Sequence, residues 1–305
     1  MRTALGLAFV LVLAASGTAS ALTLNNPNPN PPTCTDNGDR FTKLQLLDQL
    51  PQAPHVLVLG SSRARPAMPQ KVEELTGGPA FNAGVYGGNS PDEYVFTRLL
   101  ADRFPAAHPA YLIFVDVGIA IDAVNRELSD QPLARPYLGA NASSRTSTCV
   151  NSHQYTADGG LTASVPSKAQ RERKVAAALP GVLAGIPADA KKTYHIDPNK
   201  TRYFQKLLRF ANDQGATPVV VLNPIYPKVL AARRKYGFPE LKAANVYLAW
   251  LHARYKFIAL NCEDIRTWGG AASDFSSIDH IDRYNMNRLL AYVVAHSNGA
   301  LLAKP

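Results

Sequence analysis

The sequence predicts an α/β fold in which helices cover both faces of a parallel sheet. Five short apolar runs have the length and composition of strands that are buried on both faces. These runs are residues 55–59, 79–82, 111–117, 217–222 and 257–261. Helical patterns separate them, and strands that alternate with helices form parallel sheets with helices on either side.

The size and composition of the chain are consistent with one such domain. It has 305 residues, of which 46% are hydrophobic and 18% are charged, so it can bury a large core. The strand signals are spread over the whole chain. We therefore expect a single domain with insertions rather than two small domains.

The N-terminal residues have the pattern of a secretory signal peptide. Arg2 supplies a positive charge, residues 5–15 form an apolar run, and Ala19-Ser20-Ala21 offers small residues at the usual cleavage position. The run is too short for a transmembrane helix. We expect residues 1–21 to be cleaved and the mature protein to be secreted or extracytoplasmic, with an uncleaved anchor as the alternative.

The mature chain is expected to begin with an extended linker. Residues 22–40 include a tract rich in Asn and Pro, and prolines lack the backbone donor that regular structure needs. The folded domain is therefore predicted to span residues 41–305.

The clearest helix is predicted to begin at Ser90. This residue is suited to capping, Pro91 fits the first helical position, and Glu93 completes a capping box. Further helical patterns cover residues 201–214, 239–255 and 283–295. Between residues 125 and 198 the pattern weakens to one helix near residues 169–179, and so long a connection predicts a lid or a binding insertion.

The net charge of +9 is scattered along the chain, with basic clusters at residues 168–174 and 233–235. Scattered charge is typical of a solvated surface, and loose association with anionic cell-surface polymers is the alternative. Nothing in the sequence resembles a nucleic-acid-binding motif. We predict no metal and no cofactor, because the sequence has neither a C-x-x-C pair nor a P-loop.

Three cysteines are compatible with export, because an oxidising compartment allows one disulfide and leaves one thiol. Cys34 and Cys149 lie in polar, loop-like sequence and are the expected pair. Cys262 ends an apolar run and is interpreted as a buried free thiol.

The first predicted strand ends in Gly60-Ser61-Ser62-Arg63. Ligands of open α/β sheets bind where strands reach their carboxyl ends, so Ser62 is expected to point into that crevice. Backbone N–H groups of the turn would face an oxyanion. The alternative is a serine that only caps the next helix. Arg63 is either a contact to a substrate carboxylate or phosphate or, as we favour, part of a salt bridge on the helix that follows.

The second predicted strand is followed by a glycine-rich segment that contains Gly84. Glycines let the backbone approach a ligand, although a tight turn explains them equally well. Asn82 and Asn89 are candidate hydrogen-bonding partners of a substrate.

One histidine has a setting that suits catalysis. His280 precedes the last helix and lies among Asp274, Asp279 and Asp282. A general base needs an imidazole held by a third group, often a carboxylate. The alternative is an exposed histidine in a polar loop.

Together these three segments resemble the SGNH (GDSL) hydrolase superfamily. Gly60-Ser61-Ser62 is similar to the family's Gly-Asp-Ser block, whose last residue is the nucleophile, which maps to Ser62. Phe81-Asn82-Ala83-Gly84 is similar to the second block, whose glycine donates an N–H to the oxyanion, which maps to Gly84. His280 is similar to the histidine of the C-terminal block. The resemblance covers most of the mature chain and implies a three-layer α/β/α flavodoxin-like sandwich with about five parallel strands.

The chain departs from the family pattern in two places. No Asn follows the third strand, where the family has an oxyanion donor, and Asn89 is a candidate substitute. Ser277 stands three residues before His280, where the family has an Asp. Asp279 or Asp274 is a candidate to orient the imidazole, and backbone carbonyls are a third possibility that would leave a Ser–His dyad.

The resemblance implies a secreted hydrolase that uses a Ser-His(-Asp) site to cleave acyl esters of carbohydrates or lipids. Two other functions stay open. One is an extracellular O-acyltransferase that modifies polysaccharide, and the other is a catalytically inactive binding module of the same fold.

Overall fold

The computed structural model describes residues 38–116, 122–145, 155–162 and 164–303. A five-stranded, all-parallel sheet has the order β2-β1-β3-β4-β5. The strands are β1 (Val56–Gly60), β2 (Ala80–Asn82), β3 (Ala110–Val115), β4 (Val219–Leu222) and β5 (Ile258–Asn261). All five predicted strands are confirmed, with bounds shifted by a residue or two. The order is that of flavodoxin-like folds.

Alternate side chains of the strands pack into two separate cores, one on each face of the sheet. Leu57, Ile113 and Val220 belong to one core, and their neighbours Leu112 and Val221 belong to the other. The first core is covered by α1 (Asp39–Asp48), α3 (Ser90–Arg103), α7 (Arg202–Asp213), α8 (Pro227–Lys235) and α9 (Pro239–His252). The second is covered by α2 (Pro69–Thr76) and α10 (Arg283–Ala295). The predicted three-layer α/β/α sandwich is therefore confirmed.

The predicted start of α3 is correct, but its cap differs from the prediction. The capping residue is Asn89, and the Asp92 carboxylate accepts a hydrogen bond from the Asn89 N–H at 3.1 Å. Glu93 does not complete the box. It is buried at the first turn, and burial raises the pKa of its carboxyl to about 8.

The folded part of the chain begins earlier than predicted. Helix α1 starts at Asp39, and the side chains of Asp39 and Arg40 are buried, so these two residues belong to the domain and not to an extended linker. The sequence analysis assumed a helix after Ser62 without giving the bounds of α2, and it did not predict α8. Each begins with a proline, Pro69 and Pro227, at a position where a missing N–H costs nothing.

The insertion between residues 125 and 198 holds more structure than predicted. It contains α4 (Arg126–Ser129), α5 (Arg135–Leu138) and α6 (Lys168–Asp189). The last of these continues well past the predicted residue 179, through Pro180 and Pro187. An antiparallel bridge pairs Tyr155 with Leu161, and the Asn82 N–H donates to Asp158 O at 2.9 Å. This part of the insertion therefore lies against β2.

Cys262 is a buried free thiol, as predicted, and burial raises its pKa to about 12. Cys34, Cys149 and the expected signal peptide lie outside the described residues. Within the described ranges, none of the helices has both the length and the apolar character needed to cross a membrane.

Candidate active site

A sharp turn after β1 presents Ser62 at the carboxyl edge of the sheet. Gly60 has a φ of 138°, and a Cβ there would lie 2.6 Å from Phe114 O, so both the conformation and the space require glycine. The Ala64 N–H then donates to Ser61 O at 2.9 Å, and the Arg63 N–H donates to Ser61 Oγ at 3.3 Å. Ser61 therefore stabilises the turn and leaves the hydroxyl of Ser62 outside it.

His280 lies at the tip of a short loop that is closed by its own hydrogen bonds. The Ser276 N–H donates to His280 O at 2.8 Å, and Phe275 and Ile281 form an antiparallel bridge. The loop leads into α10, which is capped by Asp282. This rigid closure fixes the imidazole at the edge of the sheet, beside the turn after β1.

The structure brings Ser62 and His280 into contact. Ser62 Oγ lies 2.8 Å from His280 Nε2, which is hydrogen-bond distance for a nucleophile and its base. These two side chains come from opposite ends of the domain, and the parallel sheet places both at its carboxyl edge.

The other ring nitrogen of His280 is held by Asp279. Asp279 Oδ1 lies 2.8 Å from Nδ1, and the Ser277 hydroxyl donates to the same carboxylate oxygen at 2.6 Å. The hydrogen bond from His280 and the one from Ser277 hold the pKa of Asp279 well below its usual range. An ionised carboxylate at Nδ1 favours the tautomer whose Nε2 accepts a proton from Ser62.

Asp274, the other candidate acid, does not contact the imidazole. Its carboxylate lies 2.7 Å from Arg288 and 3.5 Å from Arg171, and Arg171 also lies 3.2 Å from Asp282. The structure therefore does not bring Asp274 to the imidazole, and Asp279 is the acid that it places there. Asp274 instead forms ion pairs with Arg171 of α6 and Arg288 of α10. These two ion pairs hold the loop that carries His280 against the two helices.

Asn82 holds the turn after β1 instead of a substrate. Its side chain is buried, and its amide nitrogen donates to Ala64 O at 3.0 Å and to Ala67 O at 2.6 Å. Its amide oxygen accepts the Gly84 N–H at 2.8 Å. Both ends of the side chain are thus used within the protein, and it fixes the segment that follows Ser62.

Gly84 and Asn89 also have structural partners in place of the expected ones. The Gly84 N–H is used by Asn82, so it does not point to an oxyanion, and a Cβ at Gly84 would lie 2.9 Å from that of Ala64. Asn89 caps α3, and its amide donates to Ala123 O at 2.6 Å. Sequence analysis did not predict these hydrogen-bond partners, because they depend on how distant segments of the chain pack together.

Arg63 forms the salt bridge that the sequence analysis favoured, although its partner is not on the following helix. Its guanidinium lies 2.7 Å from Asp116, the residue after β3, and the Asn223 amide donates to the same carboxylate oxygen at 2.8 Å. Three strands thus contribute polar side chains to one edge of the sheet beside Ser62.

A buried polar cluster on α1 supports the loop between β2 and α3, and the sequence analysis missed it. Lys43 Nζ donates to Asn82 O at 2.9 Å and to Gly84 O at 2.6 Å, and Arg40 donates to Gly87 O at 3.2 Å. The sequence does contain a pattern that predicts this burial, because Arg40 and Lys43 each lie four residues before a leucine, Leu44 and Leu47, that is buried. That spacing places them on the buried face of a helix.

Two clefts adjoin the histidine loop. One of about 430 Å³ is lined by His280 together with Arg65, Lys174 and Arg283. The other, of about 390 Å³, is lined by Asp279 and Arg63 among other residues. Among the residues that the structure describes, no three His, Cys, Asp or Glu side chains are grouped in a way that would hold a metal ion.

Comparison with known proteins does not assign this chain to a family. No protein-family model matches it, and a search of curated proteins finds no relative. The resemblance to SGNH hydrolases therefore rests on the segments around Ser62, Asn82 and His280, and the function drawn from it is a proposal.

Proposed function

We propose that this protein is an exported ester hydrolase of the SGNH type that uses Ser62 as its nucleophile. The observation that carries the proposal is the chain of contacts from Ser62 Oγ to His280 Nε2, and from His280 Nδ1 to Asp279, each 2.8 Å long. Nucleophile, base and orienting acid in this geometry are the arrangement that acyl transfer requires. Export rests on residues 1–21 alone.

The proposed reaction has two halves. In the first, His280 takes the proton of Ser62 while Oγ attacks the ester carbonyl, and the imidazolium then gives that proton to the departing alcohol. In the second, His280 takes a proton from water, which attacks the acyl-serine carbonyl, and the imidazolium then returns that proton to Ser62 Oγ as the bond to the acyl group breaks and the carboxylic acid leaves. Asp279 stabilises the imidazolium in both halves without itself taking the proton.

Two backbone amides are the candidate oxyanion donors. The N–H of Ser62 and that of Gly87 have no hydrogen-bond acceptor among the described residues, whereas Gly84 is occupied by Asn82. Gly87 lies in the turn that is bonded to the end of β1 through the Val85 N–H and Gly60 O, at 3.2 Å. We propose that this turn replaces Gly84 in the role that the resemblance assigned to it.

The direct test is labelling with an active-site-directed phosphonate, combined with turnover of 4-nitrophenyl acetate. The wild-type protein should take up one phosphonate on Ser62, and Ser62→Ala should abolish both labelling and turnover while its thermal melting is unchanged. Ser61→Ala is the matched control, because it removes the neighbouring hydroxyl and should still be labelled. Full ester turnover by Ser62→Ala would reject the assignment.

Analysis of the reaction products distinguishes hydrolysis from acyl transfer. An acyl donor is incubated with and without a polysaccharide acceptor, and the products are separated. A hydrolase releases the free acid in both samples. Acyl groups that appear on the polysaccharide would establish the transferase instead, and an absence of both products and labelling would favour a non-catalytic binding module.

A further inference from the structure

The cleft beside His280 is built from three separate parts of the chain. The turn that follows Ser62 contributes residues 65, 66 and 68, and the insertion contributes residues 161 and 164–166 together with α6. The third wall is the loop 276–283, which contains His280 itself. The insertion therefore forms part of a substrate-sized space directly beside the proposed base.

The side chains that line this cleft carry an excess of positive charge. Arg65, Lys174 and Arg283 all line it, and the acidic residue among its described lining is Asp282. The Asp282 carboxylate lies 3.2 Å from Arg171 and accepts the Tyr284 N–H at 2.9 Å, so its charge is already compensated. The lining is thus suited to an anion.

Arg65 has unused hydrogen-bonding capacity. Its side chain is 10% exposed, and its buried Nε and Nη2 atoms make no hydrogen bond. The nearest carboxylate, that of Asp39, is 3.6 Å away and already accepts from the Tyr155 hydroxyl at 2.6 Å and the Tyr86 N–H at 2.9 Å. The Arg65 guanidinium therefore adds a positive charge to the wall of the cleft, where it would attract the carboxylate of a bound substrate.

The second cleft, beside Asp279, has a different charge. Its lining holds Asp116, Glu240 and Asp279 against Arg63 and Arg233, and Arg63 is already paired with Asp116 at 2.7 Å. An anion would meet three carboxylates there. The charge distribution therefore favours the cleft beside His280 for any negatively charged part of a substrate.

The chemistry of the proposed reaction indicates which part of the ester lies in that cleft. His280 must protonate the departing alcohol, so the alcohol lies on the side of the imidazole. We propose that the cleft formed by Arg65, Lys174 and Arg283 binds a carboxylate on the alcohol part of the substrate, so that the substrate class is an acyl ester of an acidic sugar or similar hydroxy acid. This inference rests on the proposed function.

The test compares two esters that differ in one group. O-acetylated methyl glucuronoside carries a carboxylate where O-acetylated methyl glucoside carries a hydroxymethyl group. The wild-type protein should have a kcat/KM about tenfold or more higher for the acidic ester, which corresponds to one good charge-assisted contact. The preference should shrink as salt is added, because part of the attraction is screened.

Substitutions in the lining of the cleft test whether the preference for the acidic ester arises there. Lys174→Gln changes an exposed residue of α6 and should lower kcat/KM for the acidic ester by a larger factor than kcat/KM for the neutral ester, so that the preference for the acidic ester falls. Arg65→Gln should reduce it further. Arg173→Gln is the matched control, because it removes the same charge from α6 at a position that does not line the cleft. Equal values of kcat/KM for the two esters in the wild-type protein would overturn the inference.

A binding measurement separates this inference from the proposed function. Calorimetry with Ser62→Ala measures the affinity for methyl glucuronoside and methyl glucoside without turnover. Binding of the acidic sugar alone, lost in a Ser62→Ala and Lys174→Gln double variant, supports the carboxylate site even if no ester is cleaved. Turnover of both esters with equal affinity for both sugars would support the hydrolase and reject the site.

Discussion

His280 is held at both ring nitrogens by side chains with different roles. Ser62 lies at Nε2 and Asp279 at Nδ1, each at 2.8 Å, while Ser277 adds a hydroxyl 3.1 Å from Nδ1. An acid adjacent in sequence takes the place that the family pattern gives to a residue three positions before the histidine. The backbone of the loop allows this because Ser276 and Ser277 both donate their N–H groups to His280 O.

Replacement of Asp279 by Asn tests this arrangement at the scale of one residue. The variant keeps the shape but loses the negative charge that stabilises the imidazolium, so kcat for ester cleavage should fall by about a hundredfold or more. Asp279 is half exposed, so the melting temperature should change little. A variant with undiminished kcat would show that Ser277 or solvent suffices to orient the ring.

Asp274→Asn is the matched comparison for that experiment. Asp274 pairs with Arg171 and Arg288 and does not contact the ring, so its loss should lower the melting temperature more than Asp279→Asn does. A larger loss of kcat in Asp274→Asn than in Asp279→Asn would reverse the assignment of the two acids.

The site residues that could be predicted from the sequence are those whose positions follow from topology. Ser62 ends a parallel strand and His280 precedes the last helix, so the fold alone carries both to one edge of the sheet. Asn82, Gly84 and Asn89 were assigned to substrate because polar residues and glycines near such an edge often bind ligands. Their actual partners lie in segments that are adjacent only after folding, and a sequence does not state those pairings.

At the scale of elements, α1 determines the shape of the loop that faces the active site. Its Lys43 is fully buried and donates to two carbonyls of the loop, and its Arg40 is bonded to Gly87 O, Asp92 and Glu127. The charge of Arg40 persists in the interior because it is hydrogen-bonded and paired with two carboxylates. Hydrogen bonds from α1 therefore hold the loop between β2 and α3 in place. The sequence analysis had assigned the first residues of this helix to an extended linker.

Lys43 makes the stability of this region depend on pH. Burial lowers its pKa to about 7, whereas the unfolded chain titrates near the ordinary value of about 10.4. Between these values the unfolded state binds a proton that the folded state does not, so the free energy of unfolding rises with pH over that range. We expect the wild-type protein to gain stability relative to Lys43→Met by up to about 1.4 kcal/mol per pH unit.

Urea unfolding of both proteins at several pH values between 7 and 10 measures this difference. Lys256→Met, which replaces an exposed lysine, is the control and should follow the wild-type dependence. Parallel curves for Lys43→Met and the wild type would mean that Lys43 keeps its proton in the folded protein.

At the scale of the whole molecule, the insertion contacts both the strand β2 and the segment that carries His280. Its Asp158 O accepts the N–H of Asn82 in β2, and Arg171 of α6 contacts Asp274 and Asp282 in the segment around His280. The sequence predicted a lid or binding insertion at residues 125–198 and one of its helices. It did not indicate where α6 packs, because that depends on ion pairs between residues about a hundred positions apart.

Arg171→Gln tests whether the insertion positions the histidine loop. Arg171 is buried, and its loss would leave the carboxylates of Asp274 and Asp282 without this partner, so the free energy of unfolding should fall by about 3 kcal/mol. The kcat for ester cleavage should fall as well, and Arg171→Lys should restore part of it. Arg173→Gln on the exposed face is the control, and unchanged kcat and stability in Arg171→Gln would contradict the coupling.

The 218 positions between Ser62 and His280 have a consequence for biosynthesis. A growing polypeptide leaves the ribosome from its N-terminus, so the serine emerges long before its base has been translated. Until β5 and α10 dock, the hydroxyl has no partner to remove its proton and is as unreactive as any other serine. A refolding experiment should accordingly recover ester cleavage only once β5 and α10 have docked on the rest of the sheet.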